Sequence, residues 1–468
     1  MTDQRSVTDW VDDVLLAGAD DDTCLWLGAP VSRAALRAAV LDRQERLTAA
    51  GLTSGGTLAL RLPPSLAYVA QLLAGWRIGA QVTLLDYRLT QFEVDAALER
   101  VGAQLVVEPT TQVTAALRCY HDISEKVTAR GGAPAQTPHA LIQLSSGSTG
   151  PSKVIGRTAE DLVTEVNRYV QMDGVARAGE RIVLLASMVH VLGLVGGLLY
   201  GLHARVPLTL PERMTVDDIL AAVAADPAPT TLIGVPVHID LLTAPGAAPP
   251  RLPQLVRMTT GGELVRPELP ERFAARYGAT LGNMYGMTEV GVIATDLFGQ
   301  HRPAVRPAPG IEVRVVDGEL QVRRPQTPYV GLSDSTRWAD GWLRTRDAAT
   351  IDPATGLVTV HGRNDSQVSV GGLKVDLTEV EQAVAGLPEV AEAVVSFDGA
   401  IEVYAVLRDL ATPEDLDKVL AERLAPYKRP RRWHVLERLP RTPIGKIVRD
   451  RSVLRDAAQA AKAGEGGA

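Results

Sequence analysis

From about residue 30 to Pro303, short apolar stretches and helix-patterned stretches take turns along the chain. VSRAALRAAVLDRQERLTAAG (31–51) has helical spacing and stops at Gly51, and GTLALRLP reads as a strand closed by prolines. LAYVAQLLAGWRIG is helical again, and AQVTLLD is the next strand. Strands alternating with helices predict parallel sheets with crossover helices, since a parallel pair needs a long return connection. RIVLLAS, TTLIGVP and LVRMTTGGE continue the pattern as apolar strands ending at small residues. In open α/β sheets ligands gather where strands end, so these ends are candidate site walls.

The texture changes from about Ala308. IEVRVVDGELQVRRP predicts a hairpin turning at Asp317 and Gly318, and GWLRTRDAATIDPATGLVTVHG predicts another β segment. After Arg363 a smaller unit follows: VDLTEVEQAVAGLP helical, VAEAVVSF and AIEVYAVLR as strands, TPEDLDKVLAERL helical. The tail AAQAAKAGEGGA is expected to fray. The plan is α/β: a large N-terminal domain of αβ layers with a small β-subdomain (1–362), a hinge (363–367), and a small mobile α+β domain (368–468).

Bulk properties narrow the function. The 468 residues suffice for more than one domain, with 46% hydrophobic and 22% charged residues, as in soluble globular proteins. Net charge is −7 and no long basic block occurs, so nucleic acid is not an expected partner. Two cysteines, Cys24 and Cys119, make neither a disulfide framework nor a metal cluster and fit a reducing cytoplasm. The N-terminus lacks the basic start and apolar run of a secretory signal. Ile182 to Leu202 is 21 residues without a formal charge, long enough to cross a bilayer. It contains four glycines and His190 and has no anchoring clusters at both ends, so a buried strand, turn and helix are expected and no membrane insertion.

LIQLSSGSTGPSKVIGRT (141–158) is an apolar strand followed at once by small residues. Gly147 and Gly150 let the backbone bend, and N–H groups can converge on an anion with the hydroxyls of Ser145, Ser146, Ser148 and Thr149. Lys153 adds a charge. By itself the run is equally a linker, and it does not match the NTPase pattern, because Pro151 follows Gly150. Its companions bear on the choice. NMYGMTEVG supplies Tyr285 to stack on a flat base, Thr288 to donate to a phosphate and Glu289 to hold Mg²⁺, although a Thr-Glu pair also starts ordinary helices. Asp347, in WLRTRDAATID, suits ribose hydroxyls; Arg363 and Asp365 lie at the domain junction; Lys446 follows a Pro-Gly turn in PRTPIGK.

With these motifs in order, the chain resembles the adenylate-forming superfamily of acyl-CoA synthetases, adenylation domains and luciferases. The resemblance runs over nearly the whole chain, from GWRIGAQVTLLDYRLT through SSGSTGPSK, TTGGE, YGMTE, the Asp347 segment and GRNDSQVSVGG to PRTPIGK. It implies a ligase that uses ATP and Mg²⁺ to turn a carboxylic acid into an acyl-AMP with release of pyrophosphate. The acyl group then passes to the thiol of CoA or of a phosphopantetheine on an acyl or peptidyl carrier protein. An amine acceptor, or a nucleotide-binding module that has lost catalysis, are the alternatives. Ser145, Ser146, Gly147, Ser148, Thr149, Gly150 and Lys153 would cradle the β- and γ-phosphates. Gly261, Gly262 and Glu263 would line the adenine pocket, with Tyr285 and Gly286 against the base. Thr288 would touch the α-phosphate and Glu289 bind the metal; Asp347 with Arg363 would take the ribose. Asp365 resembles the hinge residue. Lys446 resembles the lysine bridging acid and α-phosphate, withdrawn when the small domain turns.

Three departures from the family pattern stand out: the proline at Pro151 is displaced by one place, Ser369 stands where a lysine is frequent, and Arg346 stands where glycine is usual. The acid pocket is expected around His190, Val191, Val235, His238, Met284 and Met287. No Asp is present to hold an α-ammonium, and the walls are Met, Val, Leu and Gly, so a small apolar or aromatic acid is expected. His190 and His238 would meet a second polar group. A monomer or homodimer in biosynthetic, secondary metabolism is the expected setting.

Overall fold

The computed structural model describes residues 10–113, 117–145, 153–246, 249–262, 265, 268–363, 366–408, 411–441 and 447–465, with backbone alone at 145 and 462–465. Contacts divide the chain into two compact units that change over between residues 364 and 365. Residues 88–97 and 145–153 group with the second unit.

The larger unit is built on three sheets. One has six strands in the order Glu125–Ala129, Leu105–Pro109, Thr57–Leu60, Gln81–Leu84, Leu141–Ser145, Lys153–Arg157. Its inner four are parallel, joined partly through the helices Leu66–Ile78 and Gln91–Val101. Ser65 caps the first of these helices by accepting the Tyr68 N–H, and Gly79 ends it in the left-handed region. That helix is buried from Ala67 to Trp76, which explains its nearly unbroken apolar sequence.

The second sheet has nine strands. Leu255–Gly261, Thr230–Gly234 and Arg181–Leu184 are adjacent and parallel at its centre, with Thr280–Met287 parallel beside Leu255–Gly261. Beyond Thr280–Met287 the pairing turns antiparallel, to Gly291–Asp296 and then Arg306–Pro307. The expected strand–helix rhythm to Pro303 therefore stops at Met287. Three turn residues, too few for a crossover, link Met287 to Gly291, so the chain can only fold back.

Ile182 to Leu202 is a buried strand end, a turn and a helix, the last wound as a π-helix over Leu192–Leu199 and continued by Tyr200–Ala204. Among the described residues no helix is long and apolar enough to cross a membrane.

The third sheet holds the expected hairpin and the expected β segment, the latter folded as a second hairpin. Val313–Val316 pairs with Glu319–Arg323 across Asp317 and Gly318, both with positive φ (52° and 76°), the geometry a two-residue hairpin turn requires. Trp342–Ile351 pairs with Val358–Arg363.

The smaller unit contains the helices Leu377–Ala385 and Pro413–Arg423 and the sheet Val390–Phe397, Ile401–Leu407, Arg432–Val435. Val380, Val384, Val403 and Leu420, all fully buried, form its core. Of the tail expected to fray, residues 457–465 are helical instead, within Arg451–Glu465, and 466–468 lie outside the described residues. Leu454 and Ala458, four residues apart and so on one face, are buried with Val394 and Tyr404.

Candidate active site

Four neighbouring parallel strands end together, and half of the sequence-predicted residues lie at or just beyond those ends. Ser187 to Val191 come after Arg181–Leu184, and Val235 to His238 after Thr230–Gly234. Gly261 and Gly262 close Leu255–Gly261, and Tyr285 to Glu289 close Thr280–Met287. Gly261 packs so near the Met284 carbonyl that a Cβ there would collide with it. Gly262 has φ +89°, and a Cβ on it would stand 3.7 Å from Val235 Cγ1. Gly261 is thus glycine because the Met284 backbone meets it and Gly262 because of its left-handed φ, and the pair brings Met284 and Val235 to one place.

The His190 segment is fastened from below. The Gln143 side-chain amide donates to the Val189 carbonyl at 2.6 Å, and the Tyr68 hydroxyl to the Met188 carbonyl at 2.8 Å. Gln143 belongs to the strand Leu141–Ser145, which precedes the Ser-Gly run in the sequence. His190 and Val191 are half-buried. His238 is buried, and its Nδ1 accepts the Val235 N–H at 3.0 Å. Burial lowers its pKa to about 4, so the ring is neutral, and with Nδ1 accepting its proton sits on Nε2. Met284 is buried and takes the Tyr169 hydroxyl at its sulfur, 3.1 Å away; Met287 is half-buried.

Asp347, Arg363 and Tyr285 converge. Asp347 and Arg363 are register partners across the Trp342–Ile351 and Val358–Arg363 hairpin. The Arg363 guanidinium lies 3.2 Å from Asp347 Oδ1, and the Tyr285 hydroxyl donates to Oδ2 at 2.5 Å. Burial first, then the Asp347 carboxylate, hold the Tyr285 hydroxyl well above its ordinary pKa, so it remains a donor. The phenol of Tyr285 is therefore tied to the predicted ribose acid.

Thr288 and Glu289 lie in the turn between antiparallel strands, which removes the helix-start reading. Glu289 is buried and accepts the Tyr329 hydroxyl at 3.2 Å. Burial and then Glu289 raise the Tyr329 pKa, while the buried Arg337 beside it acts in the opposite sense. Among the described residues no three His, Cys, Asp or Glu side chains cluster as a metal cage. One carboxylate in a turn fits Mg²⁺, which is commonly held by one or two carboxylates and otherwise by phosphate oxygens and water.

Arg346, where the family usually has glycine, has φ +65°. Its N–H donates to Glu319 and its guanidinium to the Thr336 carbonyl and hydroxyl, at 2.9 and 3.0 Å. The left-handed backbone accounts for the usual glycine, and these bonds offset the strain of a side chain there. Lys153 opens the strand Lys153–Arg157 and is half-buried, as is Ser369 in Gln367–Val370. Ser146, Gly147, Ser148, Thr149, Gly150, Pro151, Glu263, Asp365 and Lys446 lie outside the described residues, as does the Ser145 side chain. Sequence reasoning missed Gln143, Tyr68 and Tyr329, whose partners lie 46, 120 and 40 residues away, and Arg337, which stands beside Tyr329.

The AMP-binding enzyme family model matches residues 17–331, more than half of the chain, and the AMP-binding enzyme C-terminal domain model matches 379–446. The chain is 29% identical over 435 residues to FadD22, a p-hydroxybenzoic acid–AMP ligase of Mycobacterium tuberculosis, covering 85% of this chain and 61% of that protein. It is also 29% identical over 435 residues to CymA of Salinispora arenicola, described as a nonribosomal peptide synthetase, covering 84% of this chain and 5% of CymA. The chain thus spans less than two thirds of either relative. Among solved structures, the amide bond synthetase McbA of Marinactinospora thermotolerans superposes with a TM-score of 0.78 at 25% identity, covering 94% of this chain and 98% of McbA. The chain belongs to the AMP-binding enzyme family, and so to the adenylate-forming superfamily that its motifs resemble.

Proposed function

We propose that the protein activates a carboxylic acid with ATP and passes the acyl group to a thiol. A carboxylate oxygen attacks the α-phosphorus, the bond to the bridging oxygen of the β-phosphate breaks, and pyrophosphate leaves with that electron pair. The thiol sulfur then attacks the acyl carbon and AMP departs. The observation that carries this reading is the convergence of Tyr285 and Arg363 on Asp347, in the same unit as the Glu289 turn and the strand ends. That arrangement provides buried acceptors for a nucleotide's sugar and a place for its metal.

In this reading Asp347, oriented by Tyr285 and Arg363, receives the ribose hydroxyls. Thr288 donates to the α-phosphate, and Ser145 to Gly150 with Lys153 hold the β- and γ-phosphates. Glu289, fixed by Tyr329, would hold Mg²⁺, which when bound neutralises charge on the phosphate oxygens. Gly261, Gly262 and Glu263 flank the base with Gly286. Lys446 brings a cation between acid and α-phosphate, where two anions must approach. It sits in a small domain (368–468) that turns about Asp365 within a hinge at 363–367, against a large domain of 1–362.

The acid is apolar or aromatic, bounded by His190, Val191, Val235, Met284 and Met287. The fixed tautomer of His238 offers a donor to an oxygen on the acid. FadD22, by its name a p-hydroxybenzoic acid–AMP ligase, supports an aryl acid. The likeness to McbA favours a second reading, in which an amine replaces the thiol and the product is an amide. CoA and a carrier-protein phosphopantetheine are the thiols to compare.

Mass spectrometry after incubation with Mg·ATP and a panel of aryl and short aliphatic acids tests the first step. An acyl-AMP from at least one acid is expected. A panel that yields no adenylate while the protein remains folded contradicts it. Adding CoA, a phosphopantetheinylated carrier or an amine then separates the acceptors.

A further inference from the structure

A buried ion pair stands behind the Glu289 turn, among residues that the motifs do not include. Arg157 ends the strand Lys153–Arg157, and Glu165 sits within the helix Ala159–Gln171. The Arg157 guanidinium meets Glu165 Oε2 at 2.5 Å, with the two side chains 2% and 0% exposed. Charges this deep lose their hydration, so the pair persists only where its geometry is held by further contacts.

Those contacts lead to the turn. Glu165 Oε1 accepts the N–H of Val292 at 2.9 Å. Val292 follows Gly291, the first residue after turn residues 288–290. Gly291 has φ +93°, and a Cβ on it would collide with the Glu165 carboxylate. The carboxylate therefore occupies the space that a side chain at 291 would take and grips the next N–H.

The same strand reaches the turn by a second route. Gly156 donates to the Pro328 carbonyl at 2.8 Å, and Val330 donates to the Val154 carbonyl at 2.9 Å. These bonds fix Tyr329, which donates to Glu289. Arg157 also donates to the Asp161 carbonyl at 3.3 Å, and Arg324 binds the Asp161 carboxylate at 3.2 and 3.0 Å. The strand and helix that follow the Ser-Gly loop thus hold the Thr288–Glu289 turn through Val292 and through Tyr329.

We propose that Glu165, paired with Arg157, is a positioning residue for adenylation. It sets the 288–290 turn so that Thr288 and Glu289 address the nucleotide. The inference rests on the functional reading above.

Calorimetric binding of Mg·ATP to the full chain, with KM for ATP and for acid in ATP–pyrophosphate exchange, tests it. Glu165→Ala removes the acceptor for Val292. It is expected to weaken Mg·ATP binding about tenfold, as for a lost charge-assisted hydrogen bond, and to raise KM for ATP in proportion. KM for the acid should stay within about twofold, since none of these groups is among the residues proposed to bound the acid. The double variant Arg157→Met with Glu165→Gln keeps an acceptor and removes both buried charges, and should bind Mg·ATP within about threefold of the wild type. A folded Glu165→Ala protein with wild-type ATP binding, or with ATP and acid weakened alike, overturns the inference. Should Glu165→Ala not fold, the double variant decides: tenfold weaker Mg·ATP binding in a folded double variant overturns it. A wild-type protein that binds no Mg·ATP contradicts the functional reading itself.

Discussion

Asp347 and Glu165 are both buried carboxylates paired with an arginine, and they differ in what surrounds the pair. Arg363, the partner of Asp347, is 27% exposed, and the carboxylate also accepts a tyrosine hydroxyl. Arg157, the partner of Glu165, is 2% exposed, and the carboxylate spends its other oxygen on a backbone N–H. The first pair keeps one side toward solvent, where hydroxyls of a ligand can join it. The second is sealed and acts only through the backbone it grips. In the proposed reading, solvent access around otherwise similar ion pairs separates a group that would meet a ligand from one that would place other groups.

Substitutions at the two carboxylates should therefore fail differently. The largest effect is expected at the sealed pair, where Glu165→Ala strands a buried guanidinium and should cost about 3–5 kcal/mol in chemical denaturation. A cost below about 1 kcal/mol would mean that the pair is not sealed. Asp347→Asn is smaller and of another kind. It should weaken ATP binding by roughly ten- to a hundredfold, the range for a hydrogen bond to a charged group, yet change stability by less than about 1.5 kcal/mol. Equal losses of stability at both sites would erase the distinction.

His238 sharpens the comparison, being a buried group that stays neutral. Its folded pKa of about 4 lies below the ordinary 6.5. Between those values the unfolded chain binds the extra proton, so stability is present above pH 6.5 and is lost as pH falls toward 4. His238→Asn should remove up to about 1.4 kcal/mol per pH unit from the slope in that window, as read from denaturation midpoints. An unchanged slope would show that His238 does not stay neutral in the folded protein. The smallest effect is expected for Tyr329→Phe, which deletes one hydrogen bond to Glu289. It should cost about 0.5–1.5 kcal/mol, appearing as a higher Mg²⁺ requirement for exchange. A variant with unaltered Mg²⁺ dependence separates Tyr329 from the metal.

What could be read in the sequence follows from how local each signal is. The helices of 33–49, 66–78 and 377–385 and the hairpin at Asp317-Gly318 carry their own periodicity and turn chemistry. Tyr285, Glu289 and Asp347 were visible because each sits in a short motif. Glu165 was not, because the N–H it accepts lies 127 residues away and no spacing rule links them. Gln143 holds a carbonyl 46 residues away for the same reason. The C-terminal helix was missed although Leu454, Ala458 and Ala461 fall at helical spacing. Its Ala-rich, weakly apolar face reads as a tail until the burying partners, Val394 and Tyr404, are known. The antiparallel turn after Met287 was legible in principle, since no helix-length segment separates the strands.

Acid-dependent ATP–pyrophosphate exchange on the wild-type chain, run with an aryl-acid panel and with Lys446→Ala as the control, decides whether the protein forms an acyl-adenylate. Exchange is expected with at least one acid and none without acid, with a loss of about 10²–10³-fold in Lys446→Ala while Mg·ATP binding persists. Mg·ATP binding with no exchange for any acid, or full exchange in Lys446→Ala, would contradict that expectation.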